Sequence, residues 1–328
     1  MCEGKAGCIL EVQSQQSSRL APSPTGALHL GNARTFLVNW AMARQRGWQL
    51  HFRMEDLDGP RLKPWAAQES IDVLRWLGIE WDGPIVTQSD DLGPYVQALQ
   101  HFVAQRQAYS CELTRAEIEA AASAPHGNEH EQRFPPSLRP SDSERPASFC
   151  PESEMNWRFV VNPGPVEFVD GFAGHQNPDP SETVGDFVVW TKRGQPAYQL
   201  AVVVDDARFG VTDIVRGDDL LDSAARQLLL YRALGLGPEP RYTHLPLVLG
   251  ADGRRLAKRH GDTRLATYRD AGVLPERIVG LLAFWCGITP SRQALSAGEF
   301  VEGFCLDRLP DSPTVFTCKD HQWLIEPS

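Results

Sequence analysis

The sequence has no run of 18 uninterrupted apolar residues, as a membrane-spanning helix needs, and its start, MCEGKAGCILEVQSQQSS, has no sustained apolar stretch of a secretory leader. A soluble, unexported chain is expected. Cysteine is sparse: the seven at 2, 8, 111, 150, 286, 305 and 318 form an odd set without the close spacing of a disulfide scaffold. A reducing cytoplasm fits. Positive charge is in deficit, with 32 Lys and Arg against 42 Asp and Glu and a net charge of −10, so bulk charge cannot hold nucleic acid. Any RNA contact has to use a local patch. Lysine is the scarcest charged residue, at positions 5, 63, 192, 258 and 319, and Lys258 lies in the most basic stretch. There, between 241 and 264, Arg241, Arg254, Arg255, Lys258, Arg259 and Arg264 stand against only Asp252 and Asp262.

The composition is otherwise ordinary for a globular protein: 328 residues, 42% hydrophobic, 23% charged and 9% aromatic, too apolar for a disordered chain and long enough for about two domains. Leu20 and Ala21 end a short strand before a Pro/Gly turn, and from Leu30 the residues Ala33, Leu37, Trp40 and Ala41 share one face of a helix that Gly47 stops. LHFRMED reads as a buried strand, KPWAAQESIDVLRWLG and LGPYVQALQHFVAQRQ as amphipathic helices, and IVTQSD as a strand between them. That rhythm implies a parallel α/β sheet. Residues 111–155 break it with six prolines between Pro125 and Pro151 and nine acidic against four basic residues, the profile of a mobile acidic insertion. WRFVV, VEFVDGF and DFVVWTK then read as short strands and YQLAVVVDDARFGVTDIVRG as two more, on their Val, Phe and Trp content. Asp222 or Ser223 can cap a helix through Leu234, and Pro275 can start another with Ile278, Leu281, Leu282 and Trp285 on one face before Gly287.

Two segments carry chemistry. PSPTGALHLGN lies at a strand-to-helix junction, where unpaired helix N–H groups and the positive dipole end favour polyphosphate, and Gly26 and Gly31 let a nucleotide approach the backbone. A Pro/Gly turn with an ordinary N-cap explains the same residues, and this segment alone does not choose between the two. The second segment, Asp252-Gly253-Arg254-Arg255-Leu256-Ala257-Lys258-Arg259, is a glycine-bearing loop dense in cations. Together they resemble the two signatures, written HIGH and KMSKS, of class I aminoacyl-tRNA synthetases of the glutamate group. They stand here as His29-Leu30-Gly31-Asn32 and Arg255-Leu256-Ala257-Lys258-Arg259. The likeness continues through RLAPSPTGALHLGNART, FRMEDLD, AYQLAVVVDDARFGVTDIVRGDDLL and RQLLLYRALG, most of residues 19–290. Within the group, YQLAVVVDD and the short length are most similar to the glutamyl-queuosine tRNA(Asp) synthetases, paralogues of the glutamyl-tRNA synthetase catalytic domain. That family lacks the anticodon-binding domain, and the 69 residues after Arg259 leave room only for a small helical segment.

The resemblance implies an α/β fold: a doubly wound parallel sheet of Rossmann type with an inserted acceptor-type subdomain and a C-terminal helical segment. Its divisions would be a polar extension at 1–18, catalytic halves at 19–110 and 186–240, an insertion at 111–185 with its Pro-rich loop at about 122–155, and the second signature with the helical segment at 241–328. It also implies ATP-dependent activation of L-glutamate without tRNA, and transfer to queuosine in the anticodon of tRNA(Asp). The glutamate contacts map onto Arg19, Ala21, Ser23, Glu55, Tyr198 and Arg216, and the nucleotide contacts onto Gly26, His29, Gly31, Asn32 and Lys258. Those residue types suit the ligand, because two carboxylates need cations, an ammonium needs an anion, and a guanidinium grips a carboxylate through two parallel hydrogen bonds. His29 and Lys258 are the catalytic candidates, as charges placed where phosphoryl oxygens gain it. Mg²⁺ would travel with ATP, held by its phosphates rather than by a protein cage.

Two departures bear on rate: Asn32 stands where the first signature has His, and Ala257 where the second has Ser. Zinc is doubtful, because Leu113 follows Cys111 where relatives carry a second cysteine, which leaves Cys111 as a remnant ligand with only Cys150, His126 and His130 nearby. Rival readings are a shortened glutamyl-tRNA synthetase charging a tRNA 3′ end, and a catalytically silent paralogue that binds RNA or nucleotide.

Overall fold

The computed structural model describes residues 15–326 apart from 115, 119–132, 152–153, 255 and 257–262. Most of the polar extension, His126, His130, Arg255, Ala257, Lys258 and Arg259 thus lie outside the described residues. The first third alternates as expected: β1 (Ser17–Leu20), α1 (Leu30–Arg46), β2 (Gln49–Met54), α2 (Ala66–Trp76), β3 (Ile85–Thr87) and α3 (Gly93–Ala104). Gly47 ends α1 with a left-handed φ of 67°, which a side-chain-free residue adopts without strain. β1, β2 and β3 pair in parallel in that order.

The insertion is a four-stranded antiparallel sheet and a hairpin. β4 (Ala108–Cys111) and β5 (Asn156–Phe159) join the sheet, β6 (Phe168–Asp170) and β7 (Gly174–Gln176) form the hairpin, and α4 (Pro180–Thr183) leads to β8 (Phe187–Thr191) and β9 (Gln195–Pro196). Sheet order is β4-β5-β8-β9, so it draws strands from outside residues 111 and 185 at both ends. The expected mobility is corrected for residues 133–151. Arg139 donates to the buried Asp186 carboxylate at 2.7 Å and to the Val161 carbonyl at 2.6 Å, and Phe149 meets Trp157 and Trp190 edge-on. Pro135, Pro136, Pro140 and Pro146 lie between Phe134 and Phe149, buried apolar anchors at either end.

The chain returns through α5 (Tyr198–Arg208), β10 (Asp213–Gly217), α6 (Leu221–Ala233) and β11 (Arg241–Leu245). YQLAVVVDDAR is therefore a helix, not a strand. It is buried at every position from Gln199 to Asp206, and a run buried all round has no period by which helix and strand differ. α6 starts one residue before Asp222, so neither Asp222 nor Ser223 is its cap. β10 pairs with β11 in parallel, and the Thr212 N–H donates to the Ser17 carbonyl at 3.0 Å, joining the two parallel sets. The order across them is β3-β2-β1-β10-β11, a doubly wound sheet whose winding reverses between β1 and β10. Side chains of β1 show both faces covered: Ser18 bonds Asn39 of α1 on one side, and Arg19 bonds Asp206 of α5 on the other.

β12 (Val248–Leu249) pairs with β13 (Thr314–Val315). Around this ribbon lie α7 (Leu265–Asp270), α8 (Pro275–Trp285), α9 (Ala297–Gly303) and α10 (Cys318–Ile325). Ile278, Leu281, Leu282 and Trp285 of α8 are buried on the anticipated face and share one core with α1.

Candidate active site

The winding reversal opens a crevice at the carboxyl ends of β1, β2 and β10, where ligands of such sheets bind. Every described residue singled out for glutamate lies there: Arg19 in β1, Ala21 and Ser23 in the loop after it, Glu55 just after β2, Tyr198 opening α5 and Arg216 in β10. The loop is tied down by Glu55, whose N–H donates to the Pro22 carbonyl at 3.0 Å.

The first signature is a helix cap. His29 precedes α1, its Nδ1 accepts from the N–H groups of Gly31 at 3.1 Å and Asn32 at 3.4 Å, and the Asn32 side-chain oxygen accepts from the His29 N–H at 3.2 Å. This puts the ring proton of neutral His29 on Nε2. The Leu30 N–H meets the Thr263 carbonyl and the Ala33 N–H the His29 carbonyl, so the first four N–H groups of α1 are all satisfied within the chain. The expected cradle of unpaired helix N–H groups is corrected accordingly. What α1 offers an anion is its dipole and side chains, with no acidic residue in the first turn. Gly31 has a local reason as well: a Cβ there would lie 3.1 Å from Cε1 and Nδ1 of His29. At Gly26 nothing lies within 4 Å of an added Cβ, so that backbone is open to a ligand.

The second signature is brought to the first by its ends. Leu256 is buried and bonds the Val248 carbonyl, while Thr263 to Leu265 pair with Leu28 to Leu30. Residues 257–262, with Lys258, span the gap and lie outside the described residues.

Beneath the crevice lies a cluster of buried charge. Asp206, with 0% exposure, accepts from Arg19 Nε at 3.2 Å and from Arg53 Nη1 at 2.6 Å, and Arg53 Nη2 donates to Glu55 at 2.8 Å. Burial opposes charge on both partners, but Arg53 and Arg19 hold the Asp206 pKa below the ordinary carboxylate value, and Asp206, Glu55 and Asp205 raise that of Arg53. Tyr198 is 41% exposed, yet burial pushes its hydroxyl's pKa up, with Arg216, Glu55 and Arg19 acting on it. Exposure to water inside so much protein marks the floor of a concave cleft.

Arg216 is 5% exposed and bound differently from Arg19 and Arg53. Nε donates to His244 Nε2 at 2.9 Å, Nη1 to Gln227 Oε1 at 3.0 Å and Nη2 to the Leu220 carbonyl at 3.1 Å, all neutral acceptors. Of the five donors of a guanidinium, these use three and leave one on each terminal nitrogen, the pair a carboxylate takes in a bidentate grip. A buried cation held only by neutral groups is a receptor for an anion.

The family model for the catalytic domain of class I tRNA synthetases (E and Q) matches residues 16–323. The chain is 46% identical to the glutamyl-Q tRNA(Asp) synthetase of Rhodopirellula baltica over 86% of its own length and 88% of that protein's. To its namesake in Symbiobacterium thermophilum it is 45% identical, over 90% and 94%. The chain belongs to the glutamyl-Q tRNA(Asp) synthetase family. It is therefore a ligase of the class I glutamyl-tRNA synthetase type. A solved glutamate tRNA ligase from Elizabethkingia meningosepticum, in complex with its amino acid, superposes with a TM-score of 0.76 at 25% identity, covering 95% of this chain and 69% of that one.

One expectation for the synthetase needs revision. Arg241 starts β11, at the end of the sheet away from the crevice, and grips Asp213 through two 2.9 Å bonds, so it does not belong to the basic rim. Exposed Arg254 and Arg264 flank the second signature instead. For zinc, Cys111 is buried among Tyr109, Ile118, Phe134 and Val160, with Leu113 packed against them, and no group of three metal-ligating side chains occurs among the described residues. That apolar setting does not fit Cys111 as a zinc ligand, and His126 and His130 lie outside the described residues. Arg53, Asp206, His244, Gln227 and Asp170 went unnoticed in the sequence. Only Arg53 had a local signal, near the end of β2 and two residues before Glu55.

Proposed function

We propose that this synthetase activates L-glutamate with ATP, without help from tRNA, and transfers the glutamyl group to queuosine in the anticodon of tRNA(Asp). The observation that carries the reading is Arg216, a buried guanidinium with neutral acceptors on three N–H groups and two left for the side-chain carboxylate. Glutamine would leave that charge unmatched. Arg19 turns Nε to Asp206, and Glu55, fixed by Arg53, is the anion for the substrate ammonium.

In the reaction, an α-carboxylate oxygen of glutamate attacks the α-phosphorus of ATP, the bond to the β-phosphate oxygen breaks, and pyrophosphate leaves. The attacking oxygen already carries the electron pair, so no protein base is needed and the chain contributes alignment and charge. The Lys258 ammonium supplies that charge to the phosphoryl oxygens, and neutral His29 offers them its Nε2–H as a hydrogen-bond donor. Mg²⁺ would come with ATP, held mainly by its phosphates, and would neutralise phosphate charge there. Transfer to the tRNA then releases AMP. Arg254 and Arg264 attract the anticodon loop despite the net charge of −10, with binding that weakens as salt rises.

The test is glutamate-dependent ATP–pyrophosphate exchange with and without tRNA, followed by labelled glutamate with tRNA(Asp) bearing or lacking queuosine and with tRNA(Glu). Exchange without tRNA and label on queuosine-bearing tRNA(Asp) alone are expected. Exchange that needs tRNA, or label on tRNA(Glu), would identify a shortened glutamyl-tRNA synthetase, and no exchange at all a silent paralogue.

A further inference from the structure

We propose that His244, held by Asp170 of the inserted hairpin, is a positioning residue that aims Arg216 at the substrate's side-chain carboxylate while leaving its charge uncancelled. The proposal rests on the reading that Arg216 grips that carboxylate.

The geometry assigns the tautomer. His244 Nδ1 lies 2.6 Å from Asp170 Oδ2, and both side chains are fully buried. A carboxylate can only accept there, so Nδ1 carries the proton and Nε2 presents a lone pair to Arg216 Nε–H at 2.9 Å. Asp170 is itself fixed: its Oδ1 accepts from the N–H groups of Phe172, Ala173 and His244 at 2.9, 2.8 and 3.1 Å. The imidazole lies parallel to the Tyr242 ring at 5.9 Å, and the Arg216 guanidinium sits 5.1 Å from the same ring, so position and tilt are both set. Burial lowers the His244 pKa more than its bond to Asp170 raises it, and Arg216 adds to the fall, so the ring is neutral near neutral pH.

The hairpin can deliver Asp170 because Gly171 has no side chain. Its N–H donates to the Tyr242 carbonyl at 2.7 Å, and a Cβ there would lie 2.6 Å from Thr243 Oγ1. The imidazole also works as a spacer. A carboxylate touching Arg216 would neutralise it, as Asp206 does for Arg19, whereas the ring passes on the orientation and keeps the Asp170 charge one side chain away.

The experiment measures pyrophosphate exchange of the full chain against glutamate, glutamine and ATP for His244→Ala, His244→Gln and His244→Glu. The Ala variant should raise KM for glutamate at least tenfold while changing kcat and KM for ATP less than threefold. Gln, whose amide offers Arg216 an acceptor and Asp170 a donor, should recover most of the loss. Glu, of the same size but charged, should raise KM for glutamate at least tenfold above the Gln variant and narrow the preference for glutamate over glutamine. If Ala does not fold, the Gln and Glu pair decides alone. Equal KM values for that pair, or parallel changes in KM for glutamate and for ATP, would overturn the assignment. Failure of the underlying reading looks different: Arg216→Ala would leave KM for glutamate and the preference over glutamine unchanged.

Discussion

Replacing Asp206 by asparagine removes one negative charge and almost nothing else. Oδ1 keeps its place between Arg19 Nε at 3.2 Å and Arg53 Nη1 at 2.6 Å, and Oδ2, where the amide nitrogen would stand, has no hydrogen-bond partner among the described residues. The loss is therefore electrostatic. Leaving a buried charge uncompensated costs about 3–5 kcal/mol. Arg53 retains Glu55 at 2.8 Å and Asp205 at 3.8 Å, so Arg19 is the cation left alone and the lower end of that range, about 3 kcal/mol, is expected. The folded-state pKa of Asp206 is depressed, so its contribution is present above the unfolded value of about 3.9 and is lost as pH falls through the folded one. The stability gap between the unsubstituted protein and Asp206→Asn should be full at pH 7 and shrink below about pH 4. Chemical denaturation at several pH values measures it. A gap under about 1 kcal/mol at pH 7, or one that widens in acid, would refute the argument, since 1 kcal/mol is what an exposed pair contributes.

Arg216→Ala should raise KM for glutamate by roughly two to four orders of magnitude, from a loss of about 3–5 kcal/mol, and erase the preference over glutamine; exchange kinetics with both amino acids check this. Lys258→Ala should lower kcat for adenylation far more than it weakens glutamate binding, because its charge matters as pyrophosphate departs; single-turnover kinetics would show the reverse if the residue served only to bind. Gly31→Ala presses a methyl against the His29 ring at 3.1 Å and should cost about 1 kcal/mol of cap energy together with adenylation rate; an unchanged rate and melting temperature would mean that the ring gives way freely. Elemental analysis of protein purified without chelator should find no stoichiometric zinc, and tightly bound zinc lost on Cys111→Ser would contradict the apolar setting of that thiol.

The sequence alone carried whatever is written locally. The 3.6-residue period of α1 and α8, the alternation of strand and helix, and the paired signatures are short-range patterns, and the types of Arg19, Glu55, Tyr198, Arg216 and His29 announce their chemistry. It misled where local pattern is silent or ambiguous: α5 is valine-rich and buried all round, and the N–H groups of α1 look unpaired until the His29 ring and Thr263 are seen to take them. Only the tertiary structure decided the partners that hold the candidate site residues. Asp206 meets Arg19 across 187 residues, and Asp170 meets His244 across 74, between elements that no periodicity connects. The physical reason is that a buried charge needs its counterpart in space, and which carboxylate reaches which guanidinium is set by how helices and hairpins pack on the sheet. Whether an arginine is cancelled, as Arg19 is by Asp206, or kept open, as Arg216 is by His244, is a property of the folded neighbourhood and not of the arginine.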